Sequence, residues 1–335
     1  MRKKILPLVA IATMLFFVAC NNEDNLPEAK PEQTFTFTAS MPDIDPSTRV
    51  NLEEDSVNSI NLTWDYSDIL KISVVQGNDI AIGTATINQN SIINNGKNAI
   101  FSIPNMAFPE GEFDFYGVYG GGGLSPSDPT KALLPANPSV SGSLQEVQDN
   151  KDVMLYFSHE GVSSADLNNG VTFKHLGSLF KITLKNNCTT GGILNLSNAQ
   201  LDGVNNPNGL DWAYDFNTTG TLFDLTDTTK FLNTGTGINS IFFTTNTSTI
   251  DTTAMTAEYW SWYPVLPDNT WTELKLTLKN ANTNGDLVTA NSKFARTTPI
   301  VAGKNYRFYA AFDGTNLNFT NENFVPSFTF SVGLP

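Results

Sequence analysis

Cys20 stands behind Arg2-Lys3-Lys4, an apolar run from Ile5 to Phe17, and Val18-Ala19. A basic start, a short apolar stretch and a small residue before the break mark a secretory signal, and the stretch is too short to span a bilayer. A cysteine at that break offers a thiol for acylation. Residues 1–19 therefore read as a lipoprotein signal peptide and Cys20 as the lipidated first residue of the mature chain, each buried methylene of its acyl chains contributing about 0.8 kcal/mol to membrane attachment. Residues 20–33 are polar and acidic and carry Pro27 and Pro31, the composition of a flexible tether.

The remaining residues with chemical potential point away from catalysis. His159 in Phe157-Ser158-His159-Glu160 and His175 in Phe173-Lys174-His175-Leu176 lack metal-ligand spacing. Zinc sites need clustered His, Cys or acidic ligands, so a hydrogen-bonded strand histidine is expected at both. No Gly-x-Ser-x-Gly elbow holds a nucleophile. Gly120 to Gly123 runs into Leu124-Ser125-Pro126 instead of a Gly-Lys-Ser/Thr and a helix, so it is no phosphate cradle. Glu53-Glu54-Asp55 lacks the Asp-x-Asp-x-Asp-Gly calcium loop and reads as solvated. No enzyme activity, metal or cofactor is expected.

Aromatic rings make the one binding-type cluster: Tyr259, Trp260, Trp262, Tyr263 and Trp271. Flat rings on a β-sandwich can stack on sugars. However, Trp260, Trp262 and Leu266 alternate with Tyr259, Tyr263 and Val265, the pattern of a strand packed on both faces. Core packing is the reading, and a surface glycan-binding lipoprotein using Trp260, Trp262 or Trp271 is the alternative.

Charge narrows the partners. Removing residues 1–19 takes away Arg2, Lys3 and Lys4 and no acid, leaving 16 basic against 33 acidic side chains and a net charge of −17. Scattered, outnumbered cations do not bind a phosphate backbone, which excludes nucleic acid. With Cys20 acylated, Cys188 is left without a disulfide partner, so stability must come from apolar cores.

Strands must build those cores, because period-two alternation dominates the chain. Phe35, Phe37, Ala39 and Met41 share one face; further segments are Ile60 to Trp64, Ile69 to Val75, Ile80 to Ile87, Ala99 to Ile103, Glu112 to Tyr119 and Val153 to Ser158. Gly120 to Pro138 reads as a long loop with no regular element. Later segments are Val171 to Leu184, Ile193 to Leu201, Thr221 to Leu225, Ser240 to Thr245, Ala257 to Leu266, Thr272 to Leu278, Ser292 to Arg296 and Asn305 to Phe312. Leu144 and Val147 suit one helical turn. Length and pattern predict an all-β chain of two β-sandwich domains, 34–165 and 166–335.

Both ends of the folded region carry unusual strands. At the C-terminus Phe324, Pro326, Phe328, Phe330, Val332 and Leu334 alternate with small polar residues over 324–334. Eleven residues at about 3.3 Å each reach roughly 35 Å, and so apolar a row must pair, either in its own domain or in another molecule. At the N-terminus the strand Phe35 to Met41 is followed by Pro42, Pro46 and Ser47-Thr48-Arg49-Val50, a loop that presents one arginine to a protease. Cutting there removes Cys20 and the first strand together and leaves an apolar groove.

Several segments occur in a familiar order: Thr34-Phe35-Thr36-Phe37-Thr38-Ala39, Ser47-Thr48-Arg49, Leu62-Thr63-Trp64 with Ser67-Asp68-Ile69-Leu70-Lys71-Ile72, the run Phe173 to Ile182, Leu266-Pro267, and Ala302-Gly303-Lys304-Asn305-Tyr306. Together they resemble the fimbrillin-like lipoproteins of the Bacteroides group, whose acidic surface-export tag Asn21-Asn22-Glu23-Asp24 also resembles. The resemblance implies two tandem transthyretin-like β-sandwiches and type V pilus assembly: an outer-membrane lipoprotein precursor at the cell surface, arginine-specific cleavage at Arg49, and donor-strand exchange. Under it, residues 324–334 (Phe324, Phe328, Phe330, Val332 and Leu334 above all) form the donor strand. The partners it implies are other pilus subunits, the outer membrane through the lipid, and a host or bacterial surface receptor in adhesion.

Overall fold

The computed structural model describes residues 34–42, 53–54, 60–106, 108–134, 143–149, 153–188, 194–204, 221–229, 231–232, 240–250, 256–265, 273–283, 285, 287, 293–295 and 300–320. The signal peptide 1–19, Cys20, the tether 20–33, Arg49, Trp271 and the tail 324–334 lie outside the described residues. Strands in chain order begin with β1 (Phe35–Ser40), β2 (Glu53–Glu54), β3 (Ile60–Asn61), β4 (Ile69–Gln76), β5 (Asp79–Ile93), β6 (Asn98–Ile103) and β7 (Phe113–Tyr119). β8 (Lys131–Leu133), β9 (Leu155–Val162), β10 (Val171–Thr172) and β11 (Lys174–His175) follow, with one helix, α1 (Leu144–Asp149), before β9. The chain is all-β in character.

These strands form an eight-stranded sheet in the order β10-β1-β6-β5-β4-β7-β9-β11. β4 and β5 join through Gly77-Asn78, where Gly77 takes φ 60; a II′ hairpin needs glycine at that first turn position. The register of β5 against β6 shifts between Ile87 and Ile92, and a bulge of this kind bends a strand. β10 and β11 border opposite ends of the sheet, yet only Phe173 separates them. Two residue steps span at most about 7 Å, so the sheet rolls until its ends nearly meet and encloses its own core. Phe37, Phe101, Phe115, Phe157 and Phe173 fill that core, each no more than 3% exposed. A Cβ at Gly117 would sit 2.1 Å from a Phe157 ring carbon, so glycine lets β7 approach that ring.

The later strands are β12 (Gly177–Asn186), β13 (Leu194–Val204), β14 (Leu222–Asp224), β15 (Phe231–Leu232), β16 (Ser240–Ile250) and β17 (Thr256–Pro264). β18 (Glu273–Asn280), β19 (Lys293–Ala295), β20 (Asn305–Phe312) and β21 (Leu317–Thr320) complete them. They make two four-stranded sheets, β17-β12-β20-β21 and β16-β13-β18-β19, and β15-β14-β8 forms a small third one. In β18, Leu274, Leu276 and Leu278 are fully buried, as strict alternation against one core predicts.

Several expectations need correcting. Val171 to Leu184 reads as one strand but folds as three pieces, because its first five residues pair with both ends of the first sheet. β8 lies inside the stretch expected to lack regular structure: it pairs with β14, and Lys131 Nζ sits 2.7 Å from Asp224 Oδ1. Glu53-Glu54, expected in a loop, pairs as β2 with β3. The helical turn is stabilised by a capping box, in which Glu146 N donates to Ser143 Oγ and Ser143 N donates to Glu146 Oε2.

Candidate functional site

β1 is the first described strand, and it is an interior one. All six of its residues pair antiparallel with β6, from Phe35 opposite Ile103 to Ser40 opposite Asn98, while Ala39 and Ser40 pair parallel with β10. Phe173 N continues that contact by donating to Ser40 O at 3.0 Å. On the inner face the Phe37 ring lies 5.9 Å from Phe101, 5.5 Å from Phe115 and 6.2 Å from Phe157. Phe35 meets Phe108 at 4.1 Å at the strand's outer end. Trp64 closes the other end: Nε1 donates to Ala39 O at 3.2 Å, and its ring packs edge-on against Phe101, Tyr119 and Phe173.

Removing β1 would expose an aromatic floor and leave unpaired backbone groups along β6 and at the short contact with β10. Phe37 and Met41, 3% and 4% exposed, each contribute about 1.5–3 kcal/mol by burial, and each buried backbone group left unpaired costs about 1–3 kcal/mol. Loss of β1 would therefore destabilise the first sheet. Sequence reasoning identified β1 itself; it did not identify Phe101, Phe108, Phe115 and Phe157 as the slot's walls, whose only signal was apolar alternation.

Polar groups around this core are held in single states. Tyr119 Oη donates to Asp68 Oδ1 at 2.9 Å; burial and the Asp68 charge push the phenol well up, so it stays protonated. Burial alone would raise the Asp224 carboxyl, but Lys131 and Thr226 hold it below the usual carboxylate range. Burial, with Asp313 nearby, pushes the Cys188 thiol up. Among the described residues no three His, Cys, Asp or Glu side chains gather as metal ligands.

His159 lies in β9, where burial followed by Lys174 pushes its imidazole down. His175 lies in β11, and burial, with a smaller contribution from Lys97, pushes it down to about 4. An unfolded histidine titrates near 6.5, so the unfolded chain binds the extra proton between those values. The contribution is fully present above pH 6.5 and is lost as pH falls towards 4, on the order of 3 kcal/mol in all. Urea unfolding from pH 7 to 4 should show a shallower acid loss in His175→Gln than in the parent chain; equal slopes would acquit His175.

The aromatic cluster is core where it is described. Trp260 and Trp262 are 4% and 1% exposed, and they pair across β12 with Lys181 and Leu179. Lys181 Nζ lies 4.8 Å above the Trp260 ring and 2.9 Å from Glu258 Oε1. Neither ring offers a face to a sugar, so the stacking alternative does not hold at these two positions.

A family model described as fimbrillin-like matches residues 48–323. No curated protein matches. Among solved structures, a candidate cell adhesion protein from Bacteroides ovatus is similar at 11% identity and a TM-score of 0.45, over 87% of this chain and 96% of that one. One from Bacteroides uniformis is similar at 17% identity and 0.40, over 85% and 95%. The fimbrial anchor protein Mfa2 from Porphyromonas gingivalis is similar at 8% and 0.39, over 86% and 96%.

Proposed function

The chain belongs to the fimbrillin-like family, and from that premise we propose that it is a non-enzymatic structural subunit of a cell-surface pilus, exported as an outer-membrane lipoprotein and assembled by exchange of strands between copies. One observation above all supports the reading: the strand that precedes Arg49 in sequence, β1, lies inside the first sheet between β6 and β10 with Phe37, Ala39 and Met41 buried. In this reading Cys20 carries the lipid, Arg49 is the processing site, and two sandwiches act in series, the first reaching past the expected boundary at 165 to take in Val171 to His175. The tail 324–334 of one subunit supplies a strand to the next. Backbone pairing gives the joint its geometry and alternate side chains set its register. Adhesion to a host or bacterial surface receptor is the role such a fibre serves.

Electron microscopy of cells with gold-labelled antibody against this protein tests the reading. Label strung along fibres is the expected result; label confined to the membrane as single particles would make the chain a monomeric surface binder.

A further inference from the structure

Three pieces of the fold meet around a cavity of about 180 Å³ that strand pairing leaves unused. Tyr156 reaches it from β9, Phe223 and Phe231 from the small third sheet, and Val265 and Val301 from the segments after β17 and before β20. The Tyr156 and Phe223 rings lie 4.8 Å apart at 62°, and Phe223 and Phe231 lie 5.3 Å apart at 52°. Rings so tilted make a concave wall, not a parallel-sided slot. The polar lining is the Tyr156 phenol, the Thr228 hydroxyl that hydrogen-bonds it, and the His175 imidazole. Among the described residues no Lys, Arg, Asp or Glu side chain lines the cavity.

Both rims are fixed before a ligand arrives. Val301 O accepts from Ser178 Oγ at 2.7 Å, and Val301 N donates to Tyr306 Oη at 2.7 Å. Gly303 takes φ 81 in the same turn, and a Cβ there would sit 2.9 Å from His175 Cδ2, so glycine lets the turn close onto the imidazole. On the other side Asp224, ion-paired with Lys131, accepts from Thr226 N, Thr226 Oγ1 and Asp227 N. Those bonds hold the loop that carries Thr228, and such preorganisation lowers the cost of binding.

We propose that this cavity binds one neutral sugar ring, the terminal residue of a glycan. The proposal rests on the adhesive role given above and names the chemistry of its receptor. Pockets for drug-sized ligands run to about 300–1,000 Å³, so the space suits a single ring, with the rest of the glycan leaving past Val301, which is 45% exposed. A phosphate or carboxylate buried here would find no lining cation. A saturated ring has the thickness that a concave wall accommodates: its C–H face lies on the phenylalanine rings, and its hydroxyls meet the phenol, the threonine hydroxyl and the imidazole. Burial keeps that imidazole uncharged at neutral pH, with one nitrogen to donate and one to accept. A flat apolar ring would bury the same polar groups without giving them new hydrogen bonds.

Ligand-observed NMR on the purified full chain tests this without fibres, so its failure and that of strand exchange are told apart. The probes are the methyl glycosides of glucose, galactose, mannose, fucose and rhamnose, with indole as the flat apolar ring, each in the millimolar range. At least one glycoside should receive saturation from the protein, most strongly at the C–H protons of one face. Val301→Trp fills the mouth from an exposed position and should weaken that glycoside about tenfold or more. Thr228→Val removes one hydroxyl and should weaken it about threefold or more. Indole binding without any glycoside would make the cavity an aromatic-ring site and overturn the proposal. Silence from every probe, or a glycoside whose binding either variant leaves unchanged, would overturn it as well.

Discussion

Deleting Pro326–Pro335 is expected to abolish polymer while leaving a folded monomer. The tail follows β21, the outermost described strand of its sheet, whose Leu317 is already fully buried against its neighbours. Burying the four non-proline apolar side chains that the deletion removes, Phe328, Phe330, Val332 and Leu334, would contribute on the order of 6–12 kcal/mol before ordering costs. If that energy lies between molecules, its loss removes association by many powers of ten. If it lies within one molecule, the same deletion should lower the melting temperature instead, by about 2–4 °C for each kcal/mol lost. Gel analysis of cell-surface protein and thermal unfolding of the purified chain separate the two. Normal polymer after the deletion would sink the donor role, and a melting temperature lowered by more than about 10 °C would assign the tail to its own subunit.

Much of this architecture is legible in the sequence where one strand faces one core. Leu274, Leu276 and Leu278 need only alternation to be read, and Phe35 to Met41 likewise. The Trp260 and Trp262 rings read as core because tyrosines alternate with them on the other face. What period two cannot show is which strands pair. Phe173 looks like one residue of a long strand, yet it is the point where the first sheet's two ends meet, because pairing partners more than a hundred residues apart in sequence decide its surroundings. β8 is hidden for the same reason: Lys131 to Leu133 lie among prolines and glycines, and only β14 with Asp224 holds them as a strand. His175 shows a further limit, since its type is visible in the sequence but the burial that suppresses its proton is not.

Arg49→Ala is expected to leave the chain uncut, still lipidated at Cys20, and excluded from fibres as an acceptor. Cleavage after Arg49, if it is the processing site as proposed, would separate β1 from β2 and convert a strand held in its own slot by covalent connection into one that can leave. Before the cut, β1 competes as a tethered strand at an effective concentration in the millimolar range, whereas an incoming tail arrives with micromolar subunits, a handicap of about a thousandfold before contacts are counted. After such a cut a displaced strand would be diluted away, and an incoming tail would meet no such competitor. Arg49→Lys separates charge from recognition, because it keeps the cation but denies an arginine-specific protease its side chain; it should behave like Arg49→Ala. Metabolic labelling with a fatty acid, read beside gel mobility, checks both variants: the acyl label should stay on the chain, and the fibre fraction should be depleted of it. Unchanged processing in Arg49→Ala would move the cut elsewhere, and fibres that accept an uncut, labelled chain as an interior subunit would mean that β1 never vacates its slot.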